Sequence, residues 1–163
     1  MTAPFIISRV FDAPRDKVWR AWTEVGHLKQ WWGPKGFSVT HCRLDLRPGG
    51  LMHYCLRTPN GQEMWGRWAI REVAKPERLV WINSFSDKDG GVSAHPGMAD
   101  WPREMHTRVT FEDLGGKTKV TVQWVPVESS SESERKTFDE GRDSMKGGWG
   151  GTFEQFAAYL AKP

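Results

Sequence analysis

The chain has 163 residues, of which 38% are hydrophobic and 26% charged, which is ordinary for a globular protein long enough to bury a core. Its net charge of +3 is too small to indicate nucleic-acid binding, and the basic residues form no stripe. No apolar run approaches the roughly 20 residues of a membrane-spanning helix, and the first residues lack the plan of a signal peptide. We therefore expect one cytoplasmic domain over 1–163, in which Cys42 and Cys55 stay reduced.

The first part of the chain predicts a strand followed by two short helices. Residues 5–11 are apolar and β-branched, which is typical of a strand. Pro14 suits the first turn of a helix, with Asp12 or Ala13 at the cap position. A second short helix is expected over 25–30.

The middle of the chain predicts an antiparallel sheet. Apolar residues alternate with polar ones, and turns rich in proline and glycine separate the alternating runs. The expected strands cover residues 37–46, 51–57, 63–73 and 78–86, with two more around 107–111 and 120–124. Together with the first strand they make about seven, which indicates one antiparallel sheet in an α+β fold.

Two segments depart from this pattern. Residues 87–103 are polar, rich in glycine and proline, and include Trp101; a loop of that length is usually functional or disordered. The tail predicts a long helix, and Ser131 with Glu134 resembles a capping box at its start. Its apolar side chains recur on one helical face, formed by Phe138, Met145, Trp149, Phe153, Phe156 and Leu160.

Four glycines weaken the predicted C-terminal helix. Gly147, Gly148, Gly150 and Gly151 surround Trp149, and each costs roughly 0.5–1 kcal/mol relative to alanine in a helix interior. Either strands approach the helix closely at this turn, or the helix leaves room beside Trp149. Both alternatives place the sheet or a ligand against the turn.

The ten tryptophans are the strongest compositional signal, because tryptophan builds wide apolar walls with an N–H at the edge. Trp19 and Trp22 are expected in the core, since the first helix needs an apolar face. Five others fit plain core packing and the wall of an apolar cavity equally well. The residues expected to line such a cavity are Trp31, Phe37, Tyr54, Trp68, Trp81, Phe85, Trp101, Met145, Trp149 and Phe153.

Two cysteines and two nearby histidines raise the question of a disulfide or a metal site. If residues 48–49 close a two-residue hairpin, Cys42 lies opposite Cys55 within disulfide range, with His41 and His53 nearby. Neighbours in a strand point to opposite faces, so His41 and Cys42 cannot join one tetrahedral metal site. We expect no metal and no cofactor. A one-residue shift of the turn would also remove the cysteine pairing.

Catalytic motifs are scarce in the sequence. His95 lies inside the long loop and His106 just after it, and either could act as a general base at the mouth of a cavity. Solvated side chains are the more common state of such loop residues. The sequence therefore favours a binding protein over an enzyme, and we assign no catalytic residue.

Short motifs follow one another in a fixed order from about residue 5 to residue 161. They are Phe11-Asp12-Ala13-Pro14 followed by Val18-Trp19 and Trp22, Trp31-Trp32-Gly33-Pro34, Arg47-Pro48-Gly49-Gly50, Pro76-Glu77-Arg78-Leu79-Val80, Val109-Thr110-Phe111, and Gly141 through Gly148-Trp149 to Leu160. No single motif is specific, but their order and spacing resemble the family of proteins similar to the activator of the heat-shock-protein-90 ATPase.

That family belongs to the START-like helix-grip superfamily. The resemblance implies a curved sheet wrapped around the C-terminal helix, with a hydrophobic ligand held between them, and it names no ligand. The co-chaperone members carry a further N-terminal domain that takes part in chaperone binding. Since this sequence starts directly at the first helix-grip strand, a chaperone partner is doubtful. A homodimer is suggested only by analogy with relatives.

Three functions remain open at this point. The first is the binding of a flat or chain-like hydrophobic molecule, indicated by the tryptophans and the glycine-weakened helix. The second is a cyclase or hydrolase reaction, which would need a polar dyad in the cavity, such as His106 with a carboxylate. The third is a protein–protein module of the co-chaperone kind, which would need an exposed apolar patch.

Overall fold

The computed structural model describes residues 2–162 and has the α+β architecture expected from the sequence. Within those residues, eight strands form one antiparallel sheet and four helices accompany it. The elements in chain order are β1 (Phe5–Phe11), α1 (Arg15–Thr23), α2 (Val25–Trp31), β2 (Ser38–Leu44), β3 (Leu51–Arg57), β4 (Glu63–Ala74), β5 (Arg78–Ser86), β6 (Val92–Ser93), β7 (Met105–Asp113), β8 (Thr118–Pro126), α3 (Glu132–Glu140) and α4 (Arg142–Leu160).

The sheet is curved and unclosed. Its strand order is β1-β8-β7-β5-β4-β3-β2, so β1 and β2 form the two edges. β7 pairs with β5 only as far as Asn83, and β6 takes the next place through Phe85 and Ser86. This two-residue strand lies in the segment expected to be only a loop, and its pairing ties that segment to the sheet.

One face of the sheet packs against the helices, because apolar side chains alternate along each strand. On β7, for example, Met105, Thr107, Val109 and Phe111 are buried, whereas Arg108 between them is exposed. The buried face of α4 meets this surface through Met145, Trp149, Thr152, Phe153, Phe156 and Leu160. The sheet therefore wraps around α4, as the helix-grip resemblance implied.

An aromatic core fills much of the space between sheet and helices. Trp68 on β4 stacks on Trp81 of β5, with ring centroids 3.8 Å apart. Trp22 of α1 packs at 6.5 Å from Trp81 and lies parallel to Trp149 of α4 at 6.4 Å. The first helix thus packs over this part of the sheet.

Helix α1 begins later than the sequence indicated. Pro14 is the N-cap residue, with extended backbone at φ −67° and ψ 152°, and its carbonyl accepts the first helical hydrogen bond from Val18 N at 3.1 Å. Neither Asp12 nor Ala13 occupies the cap position. The carbonyl of Ala13 instead accepts a hydrogen bond from Thr118 Oγ1 at 2.8 Å, which holds this residue against β8.

The C-terminal tail forms two helices where one was expected. The capping box at the start of α3 is confirmed, because Ser131 Oγ accepts from Glu134 N and Glu134 Oε1 accepts from Ser131 N. The helix then breaks at Gly141, which has φ −90° and ψ 8° and separates α3 from α4.

The expected opposition of Cys42 and Cys55 is wrong. Cys42 pairs with Tyr54, and Cys55 pairs with His41, because residues 45–50 form a longer connection that pairs through Gly49 and Gly50 with Ile70 of β4. Both thiols are free, and burial raises the pKa of Cys42 to about 11.

Residues 2–162 lack two further classes of feature. This part of the chain contains no group of three or more histidine, cysteine, aspartate or glutamate side chains that could hold a metal ion. Its helices also lack the combination of length and apolar character that crossing a membrane requires.

Candidate functional site

A cavity of about 270 Å³ lies between α4 and the sheet. One wall is formed by α4 and the opposite wall by β3, β4 and the end of β5, while the segment 95–102 closes one side. From α4 the lining residues are Ser144, Met145, Gly148, Trp149 and Thr152, and from the central strands they include Tyr54, Leu56, Met64, Gly66, Asn83, Ser84 and Phe85.

Half of the residues expected to line a cavity lie around this one. Tyr54, Phe85, Trp101, Met145 and Trp149 are in its lining. They come from two strands, the long loop and α4, so the fold brings together residues that are far apart in the sequence.

The other half lie in the packed core outside the cavity lining. Trp68 and Trp81 are each 1% exposed and stack on one another. Trp31 donates its indole N–H to the carbonyl of Ala21 at 2.9 Å. Phe153 packs against Phe11 with ring centroids 5.4 Å apart, and Phe37 is a half-buried residue at the margin of the core.

Several lining residues were not singled out from the sequence. Trp32, Trp124, Met64 and Met105 are prominent among them. The strand alternation at 120–124 placed Trp124 on an inward-facing side, so a signal for it existed. Trp32 follows the end of α2, and no local pattern distinguishes its role from that of Trp31.

The glycines of α4 have different surroundings. A Cβ added at Gly147, Gly148 or Gly150 would have no heavy atom within 4 Å, whereas one at Gly151 would lie 3.3 Å from the backbone nitrogen of Lys35. The sequence left two alternatives, a close approach of strands or free space beside the helix. Free space is found at Gly148, which lines the cavity. The close approach at Gly151 comes from the α2–β2 loop and involves no strand.

The α2–β2 loop is fixed to α4 by one glutamine. Gln155 Nε2 donates to the carbonyls of Gly33 at 3.0 Å and Pro34 at 3.2 Å. These two residues and Trp32 line the cavity. The hydrogen bonds therefore hold the loop in place as part of the cavity wall.

The central strands contribute a tyrosine that packs across a glycine. Tyr54 on β3 is the direct partner of Gly66 on β4, and its ring lies so close that a Cβ on Gly66 would overlap the phenol. Burial raises the pKa of Tyr54 to about 12, so its hydroxyl is protonated at neutral pH. The wall is therefore uncharged at this point.

The long loop is held over the cavity by contacts with α3 and α4. The Trp101 ring packs against Gly141 and near Phe138. The backbone N–H of Arg103 donates to Glu134 Oε2 at 2.8 Å. The break between the two helices is the place where the loop can approach the tail this closely.

His95 lies in this loop and lines the cavity. Its Nδ1 accepts hydrogen bonds from the backbone N–H groups of Gly97 at 2.9 Å and Met98 at 3.1 Å. Burial lowers the pKa of His95 below 6.5. Both observations favour the neutral ring with its proton on Nε2.

His106 occupies a different surface. It alternates with the buried Met105 and Thr107 on β7, so it faces away from the cavity. Burial and the nearby positive charges of Arg108 and Arg71 lower the pKa of His106. The pairing of His106 with a carboxylate inside the cavity, considered from the sequence, does not occur in this arrangement.

Large apolar side chains exposed to solvent are dispersed over several elements. Ile6 and Val10 lie on β1, Val92 and Met98 in the long loop, and Leu114 in the β7–β8 turn. Singly exposed apolar residues are normal on protein surfaces. This distribution does not single out one docking patch.

Solved structures with the same fold come from several bacteria. A protein of Nitrosomonas europaea is 27% identical with a TM-score of 0.76, and the match covers 97% of this chain and 94% of that one. A Mycobacterium smegmatis protein is also 27% identical, with a TM-score of 0.76 over 99% and 93% of the two chains. An Arthrobacter aurescens protein is 25% identical, with a TM-score of 0.78 over 99% and 88%.

The sequence itself also matches a family. The profile described as activator of Hsp90 ATPase homolog 1-like protein covers residues 12–161, which is nearly the whole chain. No curated protein shows a significant match. The chain belongs to the activator of Hsp90 ATPase homolog 1-like family and has its START-like helix-grip fold.

Proposed function

We propose that the protein binds a small hydrophobic ligand in the cavity beside Trp149. The observation that carries this proposal is an apolar space of about 270 Å³ whose lining includes no aspartate, glutamate, lysine or arginine. Small-molecule sites are mostly apolar and carry few polar groups. The glycine at 148 supports the same conclusion, because a larger side chain there would occupy the cavity.

The volume sets the size of the ligand. An apolar cavity of about 150 Å³ holds one benzene ring, so the space here suits a bicyclic aromatic molecule. Drug-sized ligands occupy pockets of about 300–1,000 Å³, so a sterol or a long-chain fatty acid would extend beyond this cavity. Of the flat and chain-like compounds expected from the sequence, flat ones fit best.

Titration with 2-ethylnaphthalene tests the proposal. The expected result is a one-to-one complex in which the indole N–H signal of Trp149 shifts in the proton–nitrogen NMR spectrum. Cholesterol and palmitate should bind more weakly than the naphthalene. A protein that retains its fold and shows no shift at saturating naphthalene would contradict the proposal.

A pair of glycine variants locates the binding site. Gly148→Leu should abolish binding, because its side chain enters the cavity. Gly147→Leu is the matched control, since Gly147 is an exposed neighbour on the same helix turn and the substitution changes helix propensity equally. Equal affinity in the two variants would place the ligand elsewhere on the protein.

The other two functions considered from the sequence receive no comparable support from the described residues. His95 has no carboxylate beside it in the cavity lining, and the exposed apolar side chains are dispersed. We therefore advance neither an enzymatic nor a co-chaperone role.

A further inference from the structure

Two indole N–H groups in the cavity wall have no acceptor within residues 2–162. They belong to Trp124 of β8 and Trp149 of α4, and both nitrogen atoms are buried. The two rings touch, with centroids 5.5 Å apart, and both line the cavity. Buried polar groups in proteins nearly always have a partner, so two unpaired donors side by side are unusual.

A third donor lies beside them. The Trp32 ring packs against Trp149 at 5.8 Å, and its buried indole nitrogen makes no hydrogen bond to the described residues although Tyr54 lies nearby. By contrast, Trp31 in the neighbouring core donates to a carbonyl at 2.9 Å. Four buried indole nitrogens have no partner among the described residues. Three of them belong to residues that line the cavity, and the fourth, that of Trp22, does not.

Two further polar side chains in the lining have their acceptor atoms occupied. His95 has its acceptor nitrogen occupied by two backbone N–H groups, which leaves Nε2–H as a donor. The side-chain oxygen of Asn83 already accepts a hydrogen bond from Thr107. Three serine and threonine hydroxyls in the lining can also accept hydrogen bonds, so the unpaired indole N–H groups are the feature that distinguishes this wall.

The cavity also offers no charge. No aspartate, glutamate, lysine or arginine is among its lining residues, and both Tyr54 and His95 favour their neutral forms at neutral pH. Burying an ionised group without a counterion is strongly unfavourable. An ionised carboxylate would therefore be a poor ligand even though it is a strong hydrogen-bond acceptor.

We propose that the ligand is a neutral planar molecule that presents a carbonyl-type oxygen to the indole N–H groups of Trp149 and Trp124. This inference rests on the proposed function, because it specifies the chemistry of a ligand in the same cavity. Because both nitrogen atoms are shielded in the free protein, the indole rings must turn towards the cavity for the oxygen to accept one or both hydrogen bonds. The aromatic part of the molecule fills the space beside Gly148.

Three naphthalenes of similar shape test the chemistry of the ligand. They are 2-acetylnaphthalene, 2-isopropenylnaphthalene, in which a methylene group replaces the carbonyl oxygen, and 2-naphthoate, which is ionised. Sites built to hydrogen-bond a group discriminate against analogues that lack it. We expect the ketone to bind at least about tenfold more tightly than the hydrocarbon by calorimetric titration, with the naphthoate weakest of the three.

Tryptophan-to-phenylalanine variants show which indole N–H groups donate hydrogen bonds to the ligand. Trp149→Phe and Trp124→Phe each keep an aromatic ring and remove one N–H, so the affinity ratio of ketone to hydrocarbon should fall towards one. Trp22→Phe is the control, because the Trp22 nitrogen is also unpaired but lies outside the cavity lining. Because both ligands are measured on the same variant, a general loosening of the core cancels from the ratio.

The outcomes separate this inference from the proposed function. Equal affinity for ketone and hydrocarbon would overturn the inference and leave hydrophobic binding intact. Tightest binding of the naphthoate would overturn the requirement for a neutral ligand. Binding of none of the three by folded protein would overturn the proposed function together with the inference.

Discussion

The ring of Trp101 lies directly against Gly141, where an added Cβ would come within 2.9 Å of the ring atom Cζ3. This contact joins the long loop to the break between α3 and α4. Because Trp101 also lines the cavity, the contact helps to hold the loop over the cavity. The lack of a side chain at Gly141 therefore allows the loop to pack against the tail at this point.

Replacing Gly141 with alanine should loosen this cover. Gly141 lies between the two helices, so alanine gains little from helix propensity there. Its Cβ would displace Trp101, and overpacking of this kind costs about 1–3 kcal/mol. We expect a net loss of about 1 kcal/mol in the free energy of unfolding, measured with urea, and faster release of bound naphthalene.

The control for Gly141→Ala is Gly147→Ala. No heavy atom lies within 4 Å of a Cβ at Gly147, so this variant should gain about 0.5–1 kcal/mol of stability. If both variants became more stable by the same amount, the Trp101 contact would have no energetic importance.

Substitutions at two tryptophans should separate a role in the packed core from a role in covering the cavity. Trp81 is 1% exposed and stacked on Trp68, so Trp81→Ala should cost about 3–5 kcal/mol in the free energy of unfolding. Trp101 is only half-buried and covers the cavity, so Trp101→Ala should cost less and weaken ligand binding instead. Urea unfolding and calorimetric titration of both variants check this division, which equal stability losses would contradict.

The fold was predictable because its signals are local. Alternation along the strands, helical spacing in the tail and the capping box at Ser131 all lie within short windows of sequence. The contact between Gly141 and Trp101 was not predictable, since the two residues lie about 40 positions apart in the chain. The cysteine register was missed for a similar reason, because the 45–50 connection is shaped by Ile70 on another strand.

The candidate site was predictable only in part. The sequence left Trp68 and Trp81 open between core packing and the cavity wall, and it could not show which part of the inner face is filled. That depends on Trp22, which α1 places over Trp81. The inner face of the sheet is filled beside Trp81 and open beside Trp149. The position of the border between the filled and the open part follows only from the three-dimensional arrangement.

The His95 loop should lose stability in mild acid. Burial lowers the pKa of His95 below 6.5, so the folded state binds fewer protons than the unfolded state as the pH falls through 6.5. The stabilisation is complete above pH 6.5 and is lost progressively as the pH drops towards the folded-state value. Protonation of Nδ1 would also remove the acceptor of the Gly97 and Met98 N–H groups.

The variant His95→Asn isolates this effect. An asparagine side chain can accept the same backbone N–H groups in an Asx turn and does not titrate. His41 and His106 also have lowered pKa values, so the wild-type protein has a pH dependence from three histidines. The fall in thermal midpoint between pH 7 and pH 5 should be smaller in His95→Asn, and an identical fall would exclude His95 as a contributor.

The effects of substitutions at Tyr54 and Gly66 on the free energy of unfolding should depend on each other. Gly66→Ala places a Cβ where the phenol ring lies, so it should push the ring out of the cavity wall and cost about 1–3 kcal/mol in the free energy of unfolding. In a Tyr54→Ala background the same substitution has no ring to displace, and its cost should largely vanish. A double-mutant cycle by urea unfolding measures this coupling. A cost for Gly66→Ala that persists without the tyrosine would mean that the strand backbone requires the glycine, independently of the cavity wall.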